Sequence, residues 1–322
     1  MAKPTLKKVL KIILPLALGV FLMYYSIARM SSVERADMWD AIVTASPIPI
    51  AISLVLSILS HLSRAYRWNF MLVPMGYRPK VLNNFLAVMI GYFANTFVLR
   101  SGEVLRGVAL SKAEGIPFEK TFGTIVSERV ADLVMLLLVI GLGILLQTDE
   151  AYTYLSTKIN PLTSVLTLGG LIIAGIIGLR ILKLSNHPFV VKVRNFGLGV
   201  LEGIKSILHM KKNAAFVFHT IFIWAMYFSM FLVITYCVPS LLDAPLSVSL
   251  IAFIVGAFAM SATNSGMGIY PLAMGATFAY FGYEGGELFG WIIWGSQTIF
   301  NIIFGGACAL FMPWYNRTQK IV

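Results

Sequence analysis

Charged residues are scarce in this chain. Only 12% of its 322 residues are Asp, Glu, Lys or Arg, whereas 58% are hydrophobic and the mean hydropathy is +0.82. These values lie outside the range of ordinary soluble domains. The short alternating strands of a membrane β-barrel are also missing. We therefore interpret the chain as an all-α, polytopic helical membrane protein.

The motifs of common enzyme classes are absent as well. Cys237 and Cys308 lie in apolar runs without a CxxC spacing, and the four histidines form no metal motif. The sequence contains no P-loop, HExxH, GxSxG or dinucleotide-binding fingerprint. We expect no metal, no cofactor and no catalytic residue, and no ATP-driven step.

Acidic residues are the rarer charge, with 14 Asp and Glu against 25 Lys and Arg and a net charge of +11. The basic residues precede the first apolar run, follow the second, fill residues 180–212 and close the chain, while acidic residues occupy the alternate connections. This is the positive-inside asymmetry of membrane proteins. It indicates a cytoplasmic-membrane protein with both termini in the cytoplasm, and it explains the basic excess without a nucleic-acid partner.

Six apolar segments are long enough to cross a bilayer, which takes about 20 residues. These predicted spans are 9–29, 47–70, 121–147, 162–182, 214–238 and 288–312. Two further segments, 82–120 and 246–283, are apolar but interrupted by polar residues. The charge asymmetry requires each to enter and leave on one side, so we expect two broken or re-entrant helical hairpins opening to opposite faces. That arrangement favours an inverted repeat.

We expect residues 1–322 to form a single transmembrane domain. In residues 186–212, apolar side chains recur at helical spacing while basic side chains occupy the other faces. This pattern predicts an amphipathic helix on the cytoplasmic membrane surface. It would join two halves, roughly 1–185 and 213–322.

A group of costly charges surrounds the first broken segment. Each charge would cost about 2.5–3.5 kcal/mol if unpaired at the bilayer centre, so the group must be paired, hydrated or near the interface. Two interpretations stay open, a neutral structural network and one wall of a lipid-headgroup cavity. The group consists of Arg100, Glu103, Arg106, Glu128, Arg129 and Asp132.

Two further arginines favour an anionic ligand. Arg64 and Arg67 share a face near the cytoplasmic end of the second span, and adding them gives the charged group a net charge of +2. The arginine fork matches phosphate oxygens bidentately, although both residues are also placed to snorkel to the interface. Trp68 is interpreted as an interfacial-belt residue.

The second broken segment contains Asn264, Gly266 and Gly268. Glycine permits close approach of the backbone, so free amides there are expected to face a ligand; a tight packing bend is the alternative.

The runs Gly91 to Asn95, Arg100-Ser-Gly-Glu103 to Arg106, and Glu128-Arg129-Val-Ala-Asp132 resemble the lysylphosphatidylglycerol synthase transmembrane (flippase-domain) family. The resemblance implies lipid translocation. No aminoacyl-transferase domain follows Val322, so we expect a stand-alone member without the synthase domain, and synthesis of the modified lipid is not implied. Tyr270-Pro271 replaces an Arg-Glu pair frequent in the family, which leaves the substrate open. The residues carried over by the motif are Asn95, Arg100, Gly102, Glu103, Arg106, Glu128, Arg129 and Asp132.

We therefore predict a flippase-like translocator of a phospholipid or lipid-linked headgroup, held in a charged cavity inside the membrane. Its ligand would be a membrane lipid with an anionic or phosphate-bearing headgroup, moved downhill or by an ion or proton gradient. The alternatives are an integral-membrane enzyme acting on a lipid-linked substrate and a lipid-presenting scaffold. A homo-oligomer and a partner lipid-modifying enzyme both stay open.

Overall fold

A computed structural model of the chain describes residues 17–18, 20–28, 30–146, 187, 191 and 212–318. The regular structure in these ranges is entirely helical, as expected in lipid, where each backbone polar group must be satisfied within its own segment. Of the predicted span 9–29, residues 17–18 and 20–28 are described and helical. The predicted span 162–182 lies outside the described residues, as does the predicted amphipathic helix 186–212 apart from residues 187, 191 and 212.

From Ser32 onward, the described residues form nine α-helices. Four helical stretches are long and apolar enough to cross a membrane: Pro47–Met75, Phe118–Leu146, Asn213–Thr235 and Gly286–Arg317. They coincide with four of the six predicted spans, and the chain is a polytopic helical membrane protein. The helices are α1 (Ser32–Thr44), α2 (Pro47–Leu72), α3 (Val81–Phe97), α4 (Gly102–Glu114), α5 (Phe118–Leu146), α6 (Asn213–Thr235), α7 (Leu246–Ala262), α8 (Ile269–Tyr280) and α9 (Gly286–Thr318).

The described chain divides into two compact units. Residues up to Val126 and from Ala214 onward belong to the first unit, and residues from Ser127 to Asn213 belong to the second. The first unit thus draws helices from both predicted halves. Helix α5 begins in the first unit, and its residues from Ser127 onward belong to the second.

Each of the two interrupted segments consists of two short helices. Helices α3 and α7 have 17 residues each, whereas α4 has 13 and α8 has 12. At 1.5 Å per residue they are about 26 Å and about 20 Å long, less than the roughly 30 Å hydrocarbon core. Within each segment the two helices pack on each other, α3 on α4 and α7 on α8. The predicted interruptions are therefore present.

A residue in the left-handed backbone region lies at each break. Arg100 (φ 57°) and Ser265 (φ 49°) are the only non-glycine residues with positive φ in the described part of the chain. An L-amino acid in this conformation cannot continue a right-handed helix. At the first break, the Ser101 hydroxyl also contacts the carbonyls of Ala94 (3.1 Å) and Val98 (2.8 Å), which satisfies part of the end of α3.

The helices α6 to α9 enclose an apolar core. The ring of Phe289 lies 4.7 Å from that of Phe231 and 5.6 Å from that of Phe278, in both cases edge to face. All three rings, together with Ile234 and Met274, are almost completely buried. Aromatic pairs in this geometry add to the packing of the helices. Helix α9 packs against α8 and also against α3, so it contacts both broken segments.

Candidate functional site

Three arginines are buried in the first unit. Arg64 and Arg67 on α2 are 4% and 0% exposed, and Arg106 on α4 is 5% exposed. In the described part of this unit, no Asp or Glu side chain is buried to the same extent. Intramembrane charges of this kind are costly and usually functional. These three guanidinium groups are the centre of the candidate site.

Helix α6 holds the two arginines of α2. Arg64 Nη2 donates a hydrogen bond to the Tyr227 hydroxyl at 3.0 Å. Arg67 Nη1 donates to Thr220 Oγ1 at 2.7 Å, and its guanidinium lies 5.1 Å from the centre of the Phe216 ring. Because α2 carries the arginines three residues apart, both reach the same neighbouring helix. These hydroxyl and ring contacts orient the two guanidinium groups.

Arg106 stacks on a buried tryptophan of α2. Its guanidinium carbon lies 3.8 Å from the centre of the Trp68 ring, a distance at which a desolvated cation–π contact contributes about 2 kcal/mol. Trp68 is fully buried, and its Nε1 donates to Thr124 Oγ1 at 2.8 Å. The expectation that Trp68 lies in the interfacial belt is therefore wrong. In the sequence, the only signal that Trp68 belongs to the site was its position one residue after Arg67.

The first break places Arg106. Asn95 Oδ1 accepts a hydrogen bond from the Gly102 amide at 2.7 Å, which satisfies one free N–H at the start of α4. A Cβ atom on Gly102 would lie 2.6 Å from Asn95 Nδ2 and would also collide with the carbonyl of Gly91. Asn95 and Gly102 therefore hold α3 and α4 close together. Arg106 follows one turn further along α4.

The second break meets the first. Asn264 is 1% exposed, and its Nδ2 donates to the Phe97 carbonyl, at the end of α3, at 2.9 Å. Trp294 of α9 donates through Nε1 to the Ser265 carbonyl at 2.8 Å. Asn264 Oδ1 has no hydrogen-bond partner among the described residues. Gly266 and Gly268, with φ of 76° and 73°, lie just before α8. The sequence did not predict this contact between the breaks.

The remaining predicted site residues have different surroundings. Arg100 is exposed at the first break, whereas Glu103 is half-buried, and its Oε2 has no hydrogen-bond partner in the part of the chain that is described. In the second unit, Glu128 is fully buried on α5. On the same helix Arg129 Nη2 forms a 2.9 Å ion pair with Asp132 Oδ2, so these two charges of the predicted group are paired.

Two tyrosines and a histidine adjoin the arginines and were not among the predicted site residues. The Tyr92 and Tyr227 hydroxyls are 2.9 Å apart, and the ring of His61 lies 4.2 Å from that of Tyr92. Tyr92 lies inside the Gly91 to Asn95 run, and His61 lies three residues before Arg64. These two signals were in the sequence, but nothing in it associated Tyr227 with α2.

The fold and the site define a class, a polytopic helical membrane protein with buried arginines beside a pair of broken helices. The chain matches the family model of the lysylphosphatidylglycerol synthase transmembrane region over residues 12–305, and it belongs to this family. The resemblance seen in the sequence is thus confirmed.

A UPF0104 membrane protein of Methanocaldococcus jannaschii is 31% identical over 111 residues, which cover 34% of this chain and 33% of that protein. The match thus spans about one third of the relative's own length. No solved structure matches the chain.

Proposed function

We propose that the protein is a flippase-like translocator of a phospholipid or lipid-linked headgroup, and that Arg64, Arg67 and Arg106 bind the anionic or phosphate group. The observation that carries this proposal is the excess of buried positive charge. In the described part of the first unit, three arginine side chains are buried and no Asp or Glu side chain is buried to the same extent. A phosphate of charge −1 to −2 would offset much of that positive charge.

The chemistry of the surrounding side chains supports a headgroup ligand. Guanidinium groups bind phosphate oxygens through charge-assisted, often bidentate hydrogen bonds. The Tyr227 and Thr220 hydroxyls, which already orient Arg64 and Arg67, supply a further polar group beside each of these arginines. The acyl or prenyl chains of such a ligand would stay in the lipid, so only the headgroup needs a polar route.

The two broken segments suggest how the site changes sides. The helices α2 to α5 have 26, 17, 13 and 29 residues, and α6 to α9 have 23, 17, 12 and 33. Both sets therefore run long, medium, short, long. We propose that they are inverted repeats within six full spans, with both termini in the cytoplasm. Rocking of the two hairpins about their contact at Asn264 would expose the site alternately.

A proteoliposome assay tests this function. The probe is phosphatidylglycerol with a fluorescent acyl chain, and a membrane-impermeant quencher reports the leaflet it occupies. We expect Arg64→Gln and Arg106→Gln to lower the rate of transfer more than tenfold. The matched control is Arg78→Gln, which removes the same charge from an exposed side chain and is expected to transport normally.

The outcomes separate the alternatives. Normal transfer by folded Arg64→Gln and Arg106→Gln variants would show that the headgroup is bound elsewhere. A fluorescent diacylglycerol, which lacks the phosphate, should show no dependence on the arginines. A new covalent lipid species in extracts would indicate an enzyme instead, and absent transfer with a stoichiometric co-purified partner would indicate a scaffold.

A further inference from the structure

A line of buried polar side chains runs along α2 beside the arginines. Ser53, Ser57 and Ser60 are at most 1% exposed, and His61 is 3% exposed. Four polar side chains are not needed to pack an apolar span, and intramembrane histidines often belong to proton relays. His61 is not part of the proposed headgroup site, so its role requires a separate explanation.

The two hydroxyls beside His61 can accommodate the neutral and the protonated ring. Ser57 Oγ lies 3.2 Å from Nε2, and Ser60 Oγ lies 3.5 Å from Nδ1. Ser60 donates its own proton to the Ser57 carbonyl at 2.7 Å, so its oxygen is left to accept from Nδ1–H. In the neutral ring Nε2 then accepts from the Ser57 hydroxyl. A proton added at Nε2 needs only a rotation of that hydroxyl.

The ring is linked to Arg64 through two tyrosines. His61 stacks on Tyr92 of α3, with ring centres 4.2 Å apart, and the Tyr92 hydroxyl lies 2.9 Å from that of Tyr227 on α6. Tyr227 in turn accepts from Arg64 Nη2 at 3.0 Å. The titratable and charged groups beside His61 are therefore Tyr92 on α3, whose ring stacks on it, and Arg64 on its own helix, while Tyr227 on α6 links these two.

The polar line also extends toward α9. The Ser53 hydroxyl lies 3.5 Å from the Met230 carbonyl, and Gln297 Nε2 donates to Ser53 Oγ at 3.3 Å. Ser53 and Ser57 are four residues apart, so they share a helix face. The line thus continues along α2 for about two turns from His61, which gives a proton polar groups to follow on the side away from Arg64.

We propose that His61 is a proton-binding site coupled to the headgroup site, so that one proton crosses with each anionic headgroup. This inference rests on the proposed function. A positive charge on Arg64 opposes a second positive charge on the imidazole, and an anionic phosphate bound at Arg64 removes that opposition. Because binding linkage is reciprocal, the proton favours the headgroup as much as the headgroup favours the proton.

The cycle balances in protons and charge. On the side where the headgroup enters, a proton from water forms an N–H bond at Nε2 of His61. On the other side the headgroup leaves, that N–H bond breaks, and the proton returns to water. With a singly charged phosphodiester, the cycle moves no net charge across the membrane.

The experiment measures how a pH gradient redistributes fluorescent phosphatidylglycerol between the leaflets of proteoliposomes. One proton per headgroup predicts a steady-state leaflet ratio that shifts up to about tenfold per pH unit, and a clamped membrane potential should not change it. His61→Gln keeps hydrogen-bonding groups beside Ser57 and Ser60 but does not titrate, so this variant is expected to equilibrate the lipid without responding to the gradient.

The matched control is His219→Gln. His219 is a half-buried histidine of α6 whose Nδ1 lies 2.8 Å from Ser63 Oγ, and this variant is expected to respond to the gradient like the wild type. A wild-type protein that moves lipid but ignores the gradient would overturn proton coupling and leave translocation intact. A gradient response in His61→Gln equal to that of the wild type would overturn the assignment of His61.

A second measurement does not depend on a variant that folds. Short-chain phosphatidylglycerol is added to the wild-type protein in weakly buffered detergent with a pH indicator. Uptake of about one proton per bound lipid supports the linkage, and binding without uptake overturns it. If no protein sample binds or moves the lipid, the proposed function itself fails, so the two failures are distinguishable.

Discussion

The helices α2 to α4 and α6 to α8 have nearly the same lengths but different interiors. The first group buries Arg64, Arg67 and Arg106, while the second buries Phe231 and Phe278 among other apolar side chains. The helix lengths are set by the positions of the breaks. Whether the interior is polar or apolar is set by the side chains that the helices bury. One pattern of helix lengths thus supports both a polar site and an apolar core.

The two breaks also differ in how they are closed. The first is closed within its own segment, by Asn95 and Gly102. The second has a bond of its own, from Thr263 Oγ1 to the Met267 carbonyl at 2.9 Å, and is in addition tied to α3 by Asn264 and to Trp294 of α9 by Ser265. Because of these outside bonds, we expect the second break to follow movements of α3 and α9.

The largest expected effect tests the apolar core. Phe289→Ala removes a fully buried ring that contacts Phe231 and Phe278, and we expect a loss of roughly 3 kcal/mol in the free energy of unfolding. Transfer per folded molecule should be kept, because the ring does not touch the arginines. Unfolding in detergent measures the first quantity and the proteoliposome assay the second. The matched control is Ile303→Ala, an exposed residue of α9, which should change stability little.

A smaller loss of stability, accompanied by a loss of transfer, is expected from Gly102→Ala. The added methyl group would collide with Gly91 and Asn95, which should cost about 1–3 kcal/mol and displace Arg106. Gly123→Ala in α5, where the new methyl group would meet nothing within 4 Å beyond its own stretch of helix, is the control and should be neutral or slightly stabilising. Equal melting temperatures for the two variants would contradict the close approach of α3 and α4.

Removing the hydrogen bond at the first break should have a moderate effect. Asn95→Ala leaves the Gly102 amide without its acceptor and is expected to cost about 1 kcal/mol. Asn95→Asp keeps an acceptor oxygen and should restore most of that loss. Thermal unfolding measures all three proteins, and the expected order from most to least stable is wild type, Asn95→Asp and Asn95→Ala. An alanine variant as stable as the wild type would show that the bond does not close the break.

The smallest expected effect concerns the contact between the breaks. Asn264→Ala removes the bond to Phe97 and should destabilise the protein by about 0.6 kcal/mol, the average for hydrogen bonds between membrane helices. Ser261→Ala is the control, because this exposed serine bonds only within α7. If the contact is a hinge, Asn264→Ala should clearly change the rate of transfer even though it lowers stability only slightly. Unchanged transfer would separate the contact from transport.

The helical spans and their interruptions were largely predictable from the sequence. The predicted spans 47–70, 121–147, 214–238 and 288–312 are long helices, because crossing a bilayer demands a local run of apolar residues. The polar runs at 100–106 and 263–268 marked the breaks for an equally local reason. The family was also readable, since its motif lies in one short stretch of the chain.

The tertiary structure alone decided which of the charged side chains are buried. Arg100 and Arg106 belong to the same motif, yet the first is exposed and the second stacks on Trp68. Tyr227 reaches Arg64 from 163 residues away in the chain. Local patterns set where helices begin and end, but the faces that meet depend on close packing between distant segments. The sequence thus determined the helices and the family, and packing determined the site.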